Sequence, residues 1–600
     1  VLIGYVITLA PTVTLWDAGE FITAAKVLGI PHPPGTPLFV LIGHVWGGVV
    51  AVGGYAWRLN LMSACFSAGG AACLFLVAQR LLLGEDQFLR IGGAAAAALI
   101  SAFSFTVWQN SNETEVYAIA TFSLAAIAWL IVRWRDLRGT ARAPHLLLLI
   151  VYIAALSIGN HLLALLVGPA VSVFMFYTLY RTPAADPVER RVEWSEWAVV
   201  SSLWILLIAT GLGSTPLLVL GGVLFVGALV ICVSAGSLVF PAVAIAVAGI
   251  GISTYAFLYI RSGLQPLLDE ADPETWTNLL AVIRREQYGS RGVFDNPMFP
   301  PGDDNPGRTL KLFGQQFVNF FQYWSWQWGR ALSLPGVIAA TGVFSWLGVM
   351  GFDLARRRDR GMAVLLGTAW LITGVGLVIY MNFKSGFSLF WDEYTRMDQH
   401  EVRERDYFFI AAFQIWSAMA GVGLVRLVRS FQPARWKLGA AIAALIVVLP
   451  FALNFRSASR RHGPDTTIAR DFAYNLLQSV EPYGVLFAFG DNDTFPVWYL
   501  QEVEGVRQDV TLVNLSLANL DWYLKQLATR PTRAFVPEQA PAVYRALAAV
   551  PQNAVGRPAM PFTPADVAGM QFTQVDRDLT FRAGGLELPL RQGQFLRIAD

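Results

Sequence analysis

Asp17 and Glu20 stand three positions apart in "WDAGEFITAAKVLGIPHPPGTP", residues 16–37, between an apolar run ending near Leu9 and another beginning at Leu38. A spacing of i, i+3 puts both carboxylates on one face of a helical turn. Close to a bilayer such groups are costly and usually face a cavity or a partner. Partial burial raises a carboxyl's pKa, and a neighbouring carboxylate raises one of the two further. That suits a general base, a role worth on the order of 10²–10⁴-fold in rate. The same pair also fits a helix N-terminus, with Asp17 as cap and Glu20 completing a box-like arrangement. The hinge "HPPGTP" from His32 to Pro37 favours a site, because it builds a fixed wall instead of a simple exit from the membrane.

Further reactive residues sit at the ends of apolar runs. "WQNSNETEVY" holds Glu113 and Glu115, and "SIGNHLL" holds His161, which also fits a helix-end histidine bonded to a backbone carbonyl. "RREQYGSR" carries Arg284, Arg285, Gln287, Tyr288 and Arg291, and "VRERDYFF" carries Arg403, Arg405 and Tyr407. These arginines can grip a phosphate bidentately. Their alternative is an ion-pair lattice with Asp398, Glu401, Glu404 and Asp406, or contact with lipid headgroups. "GDNDTF" holds Asp491 and Asp493 after an expected strand, where α/β folds bind ligands. A turn and N-cap explains that D-x-D triplet as well or better. A metal held by Asp17, Glu115 and His161 lacks any dense ligand spacing such as H-E-x-x-H, so no metal site is assigned and the need for a divalent ion stays open. Neither a G-x-G-x-x-G fingerprint after a strand nor a Walker loop occurs, so no resident cofactor is expected.

The elements that must position these groups follow from composition. Of 600 residues 55% are hydrophobic and only 14% charged, against roughly a quarter charged in soluble domains. The net charge of +2 gives no sign of a nucleic-acid partner. Cys65, Cys73 and Cys232 all fall in apolar runs and read as small core residues. The chain opens at Val1 inside an apolar stretch and is read as trimmed there. Thirteen spans are expected, near 1–13, 58–82, 91–108, 115–133, 144–158, 162–180, 195–212, 216–234, 237–260, 332–354, 361–381, 407–428 and 436–454.

Arginines cluster in short connections: Arg133 to Arg142, Arg181 to Arg191, Arg356 to Arg360, and Arg426 to Arg435. The positive-inside rule makes such loops cytoplasmic. If Leu38–Val52 spans, Asp17 falls on that same side and Arg80 and Arg90 on the other. If Leu38–Val52 lies along the interface, every arginine loop is cytoplasmic, and Asp17, Glu20, Glu115 and His161 face outside. The prolines at 31, 33, 34 and 37 favour the interfacial reading. The fold class is then mainly α and polytopic, with a membrane domain at 1–455 and outer loops at 14–57, 261–330 and 382–407. A soluble extracytoplasmic α/β domain follows at 456–600, with "GVLFAF" and "DVTLVNL" as buried strands and helices near 496–504 and 519–529.

"TLWDAGEFITAAKVLGIPHPPGTPL", "ETEVYAI", "LSIGNHLL", "REQYGSR", "RERDYFF" and "FGDNDTFPVWYLQEVEGVRQDVTLVNLSLANLDWYLKQL" resemble bacterial membrane proteins related to the eukaryotic transmembrane O-mannosyltransferase that acts on plexin-type receptors. The resemblance runs from the first span to about Leu527. It implies a GT-C glycosyltransferase of the bacterial inner membrane that uses a polyprenyl-phosphate sugar and a protein or glycan acceptor. Asp17 matches the catalytic acidic position, with Glu20 beside it. Arg284, Arg285, Arg403, Arg405 and Tyr407 are then expected at the donor phosphate or lipid. His32, Glu115, His161, Gln287, Tyr288, Asp491 and Asp493 are expected at the sugar or acceptor. A transporter or flippase of lipid-linked glycans is the alternative, although no internal repeat marks one.

Overall fold

In a bilayer an apolar run of about twenty residues must satisfy its backbone internally, so it forms a helix. The computed structural model describes residues 1–289, 292–431, 433–545, 554–583, 586–593 and 595–598. Among the described residues ten helices are long and apolar enough to cross a membrane: Tyr55–Leu81, Val116–Asp136, Leu162–Arg181, Pro187–Leu212, Thr215–Ala235, Val239–Ser262, Leu334–Arg358, Arg360–Met381, Asp406–Ser430 and Trp436–Ala458. The chain is an integral membrane protein, mainly α.

Three of the thirteen expected spans fall short of full length, each for a visible reason. In 1–13 only Leu2–Thr8 is helical. Beyond it the Asn60 side chain donates to the Ala10 and Thr12 carbonyls at 3.0 and 3.1 Å, so that backbone is satisfied without a helix. The run 91–108 divides into Gln87–Ala102 and Phe105–Ser111, bent by 71°. At the break Asn454 Nδ2 donates to Phe103 O at 3.1 Å, and Phe105 N donates to Gln327 O at 2.9 Å. Ala143–Ile158 has 16 residues; at about 1.5 Å per residue it covers roughly 24 Å, less than a bilayer core.

Leu38–Val52 does not span. Pro37–Val49 is a helix of 13 residues. Its start is held by Leu38 N donating to Gly159 O at 2.7 Å, and its middle by His44 Nδ1, 2.8 Å from Ala25 O. Together with Ala18–Val27 it makes the first loop a pair of short packed helices.

The two ends of the bundle differ in chemistry. Val116–Asp136 carries Glu115 at one end and Arg133, Arg135 and Asp136 at the other. At that second end the arginine loops join: Arg80 pairs with Asp136 at 2.7 Å, Arg135 with Asp359 at 2.6 Å, Arg138 with Glu193 at 2.6 Å and Arg429 with Glu85 at 3.0 Å. Arg358 also pairs with Glu85, and Arg426 with Asp353. Asp17 belongs to the opposite end, with Glu115 and Tyr407.

After Ala458 the soluble unit begins. Val485–Ala488 pairs in parallel with Thr511–Asn514, Val485 opposite Thr511. Helices Asp491–Glu502 and Asp521–Thr529 follow the two strands, the first starting five residues before the expected 496. Two antiparallel pairs lie further on, Gln571–Gln574 with Phe595–Ile598 and Leu579–Ala583 with Leu586–Leu590.

The core of the bundle rests on small residues. Ile410–Ser430 is wedged between Gln87–Ala102 and Leu334–Arg358. A Cβ at Gly421 would lie 2.3 Å from Ala97 N, and one at Gly423 would lie 2.1 Å from Leu347 O. Small residues of this kind let helices approach closely in lipid. Replacing Gly421 with Val should therefore destabilise the detergent-solubilised protein by about 1–3 kcal/mol, the usual cost of overpacking. A fall in the thermal unfolding midpoint measures it; an unchanged midpoint would contradict this packing.

Candidate active site

Ala18–Val27 places the acid pair. Asp17 occupies its N-cap position, yet no side-chain cap hydrogen bond forms there. Its Oδ2 instead accepts from Arg403 Nη2 at 2.8 Å, with both side chains 17% exposed. Glu20 is fully buried. Its Oε1 accepts from His32 N at 2.7 Å, and its Oε2 lies 2.5 Å from His32 Nδ1. The capping-box alternative is thus not realised. Glu20, expected to share the chemistry with Asp17, is the anchor of the hinge, because its oxygens are taken by His32.

A second buried carboxyl, Glu270, completes this anchor. Glu270 N donates to Ile30 O at 3.0 Å, and Ile30 N donates to Leu268 O at 2.7 Å. Burial and then the Glu20 carboxylate push the Glu270 carboxyl up, and the two are hydrogen-bonded. For His32, burial works downward, but the Glu20 carboxylate outweighs it, with Asp17 and Glu270 adding, and the imidazole is raised to about 10.

The basic pole comes from the start of Asp406–Ser430. Arg403 Nε donates to the Tyr407 hydroxyl at 3.0 Å, and Arg405 Nη1 donates to the same oxygen at 2.6 Å. The Arg403 guanidinium packs 4.7 Å from the Trp16 ring centre and 4.7 Å from that of Tyr407. Arg405 Nε donates to Glu401 at 2.8 Å. Of the expected lattice only Glu401 takes part. Asp398 pairs with Arg396, Glu404 accepts from Tyr323 and Asp406 accepts from Thr106.

Glu115 caps the start of Val116–Asp136 at 7% exposure, and its Oε2 has no hydrogen-bond partner within the protein. Burial and then Asp17 push its carboxyl well up, against the pull of Arg403. Tyr117 links the wall, its ring 5.0 Å from Tyr407 and 4.9 Å from His161. His161 Nδ1 accepts from Leu163 N at 3.1 Å, a helix-end role. Burial, Arg285 and His32 lower it to about 3, so its ring is neutral.

The remaining expected residues divide. Arg285 donates to Gly211 O at 3.2 Å, and Arg284 faces Glu286 at 3.6 Å. These contacts tie the two arginines to the end of Pro187–Leu212 and to their own loop. Arg291 lies outside the described residues. Tyr288 is hydrogen-bonded to Gln287 and lies within electrostatic reach of Glu270, Glu20 and Asp17. Asp491 is reached by solvent yet walled in on one side; this desolvation, then Asp17 and Glu20, push its carboxyl up. Asp493 is a cap: its oxygens accept from Phe489 N and Gly490 N, each at 2.8 Å.

Two partners escaped the sequence reading. Asn492 Oδ1 accepts from Trp16 N at 2.7 Å, joining the soluble unit to the first loop. Its place between two aspartates was the available signal. Glu270, in an ordinary acidic stretch, gave none. Gly19 permits the same junction, since a Cβ there would lie 2.7 Å from the Phe495 backbone. Among the described residues no group of three or more His, Cys, Asp or Glu side chains is placed to hold a metal ion.

Fold and site define a polytopic membrane protein with its acid–arginine centre at one end of the bundle, closed over by a soluble unit. The chain matches the family profile of the protein O-mannosyl-transferase TMEM260 N-terminal domain over residues 17–184, and TMEM260-associated domain 2 over residues 469–537. It is a relative of these O-mannosyl-transferases. It is 25% identical to mouse protein O-mannosyl-transferase TMEM260 over 537 residues, 87% of this chain and 62% of the mouse protein. A Dictyostelium discoideum protein of the same name is 28% identical over 140 residues, 22% of this chain and 16% of that one. The chain thus spans under two thirds of the length of either relative. Among solved structures, the Archaeoglobus fulgidus oligosaccharyltransferase overlays with TM-score 0.45 at 14% identity, covering 86% of this chain and 62% of that one. ArnT from Cupriavidus metallidurans overlays with TM-score 0.45 at 13% identity, covering 92% and 93%. Both overlays are partial.

The His32–Glu20 pair predicts a pH signature. The folded pKa of His32 stands above the ordinary 6.5. Its stabilisation is therefore complete below about pH 6.5 and is lost as pH rises toward about 10. The thermal midpoint should fall across that window in the wild type, and the slope should flatten in His32→Gln. Equal slopes would remove the charged pair.

Proposed function

We propose that the chain is a glycosyltransferase that moves a sugar, mannose by analogy with its relatives, from a polyprenyl-phosphate carrier to a protein hydroxyl. The observation that carries this reading is the contact of Asp17 with Arg403, itself joined to Arg405 through the Tyr407 hydroxyl at the head of a spanning helix. A carboxylate and two guanidiniums there match the two needs of sugar transfer from a lipid phosphate. One is a base for the incoming hydroxyl, the other a counter-charge for the departing phosphate.

In this mechanism the acceptor oxygen bonds to the anomeric carbon as the bond from that carbon to the phosphate oxygen breaks. The hydroxyl proton passes to Asp17, and the phosphate leaves with the electron pair. A single displacement inverts the anomeric centre. Arg403 holds the Asp17 side chain in place before substrate arrives; a bound phosphate competes for Arg403 and frees the carboxylate to act. Glu115, its carboxyl pushed up beside Asp17, hydrogen-bonds to the sugar or acceptor. Asp491 faces the same centre from the soluble unit. The reading needs no resident cofactor. The arginine-rich end of the bundle is the cytoplasmic one by the positive-inside rule, which sets the reaction on the extracytoplasmic side.

Replacing Asp17 with Asn keeps size and removes the base, and kcat for transfer from a labelled polyprenyl-phosphate mannose should fall by about 10²-fold or more. Replacing Arg405 with Lys keeps charge but loses the fork that fits phosphate, so KM for the donor should rise. Both variants need to retain the wild-type thermal midpoint. Full activity in the Asp17 variant would rule it out as base.

A further inference from the structure

A cavity of about 320 Å³ opens between the first loop, the loop spanning 261–330 and the soluble unit. Pro33 of the hinge forms one wall, Asp272, Asn278 and Gln287 a second, and Trp522 and Lys525 of the helix Asp521–Thr529 a third. The cavity borders the acid cluster. Pro33 follows His32, which is fixed on Glu20, and Gln287 is hydrogen-bonded to Tyr288, which lies within reach of Glu270, Glu20 and Asp17. None of the arginines paired at Tyr407 lines it. The donor phosphate and this cavity therefore occupy different parts of the centre.

The lining has a definite chemistry. The indole of Trp522 and the ring of Pro33 supply apolar walls. Trp522 Nε1 itself is buried away from the cavity, so the residue offers it ring surface. The carboxylates of Asp272 and Asp521 outnumber the single ammonium of Lys525. The volume is at the low end of the roughly 300–1,000 Å³ typical of ligand pockets. Apolar walls, side-chain amides and an excess of carboxylates suit a short stretch of polypeptide with small, neutral or cationic side chains.

We propose that this cavity receives the residues flanking the hydroxyl of a polypeptide acceptor and discriminates against acidic flanks. It rests on the reading of the acceptor as a protein hydroxyl. Asp272 and Asp521 repel carboxylates, the Trp522 ring seats a side chain, and Pro33 ties the cavity's position to the Glu20 anchor.

Binding tests this without turnover. The full chain in detergent is titrated with fluorescent threonine peptides whose flanks are Ala, Lys or Glu, and anisotropy is read. Ala and Lys flanks should bind about tenfold or more tighter than Glu flanks. Trp522→Ala should weaken the Ala-flanked peptide by about tenfold, and Trp522→Phe by less. Lys525→Glu, a surface change that tests the cavity independently of any misfolding at Trp522, should widen the penalty on Glu flanks. Unchanged peptide binding in Trp522→Ala and Lys525→Glu overturns the proposal, as does binding of a mannose disaccharide in place of any peptide. Adding labelled polyprenyl-phosphate mannose separates the two readings. Peptide bound as described but never labelled defeats the transferase and leaves the cavity. Peptide labelled with unchanged KM in both variants defeats the cavity and leaves the transferase.

Discussion

A carboxylate fully removed from water must be answered by partners, and Glu20 is answered from two directions. His32 reaches it through both ring and backbone, and Glu270, its carboxyl pushed up by burial and by Glu20, stands beside it from a distant loop. Breaking such a pair by deleting one member leaves an uncompensated buried charge, far costlier than never having built it. The hinge, the first short helix and the loop after Val239–Ser262 are held in register by this triad. Asp17, one turn before Glu20, takes its position from it.

The centre then separates into two poles with Asp17 between them. On one side are carboxyls pushed up by burial and by neighbouring carboxylates, Glu115 by Asp17 and Glu270 by Glu20. On the other are guanidiniums held by aromatic faces, a phenol and a carboxylate. Fixed dipoles and charges of this kind need no rearrangement when charge moves, which is the main source of electrostatic catalysis. Asp17 is the member shared by both poles, touched by Arg403 and felt by Glu115 and Asp491.

Much of this was legible in residue patterns. Charge parity alone required Leu38–Val52 not to cross, and the helix Pro37–Val49 is too short to do so. The two parallel strands and their helices followed from short apolar runs and the periodicity after them, but the first strand is not buried as expected, with Phe487 64% exposed at the open edge of a two-stranded sheet. What escaped depends on contacts between segments far apart in the chain. Asn454 and Gln327, distant in sequence, end the helix at Ala102 by satisfying its backbone, and hydropathy carries no trace of them. Glu270 looks like any loop acid until Ile30 pairs with its backbone. Asp491 and Asp493 share a motif, but one faces the centre and the other caps a turn, a difference set by backbone direction alone.

The ion pairs at the arginine-rich end link the loops after Tyr55–Leu81, Val116–Asp136, Leu334–Arg358 and Asp406–Ser430. Singly, half-exposed pairs hold little, but joined they cross-brace neighbouring helices like rungs at the foot of a ladder. A bundle latched there can splay only at its far rim. On the proposed function, room for the donor's lipid tail would come from sideways parting of helices beneath Asp17, above a braced floor.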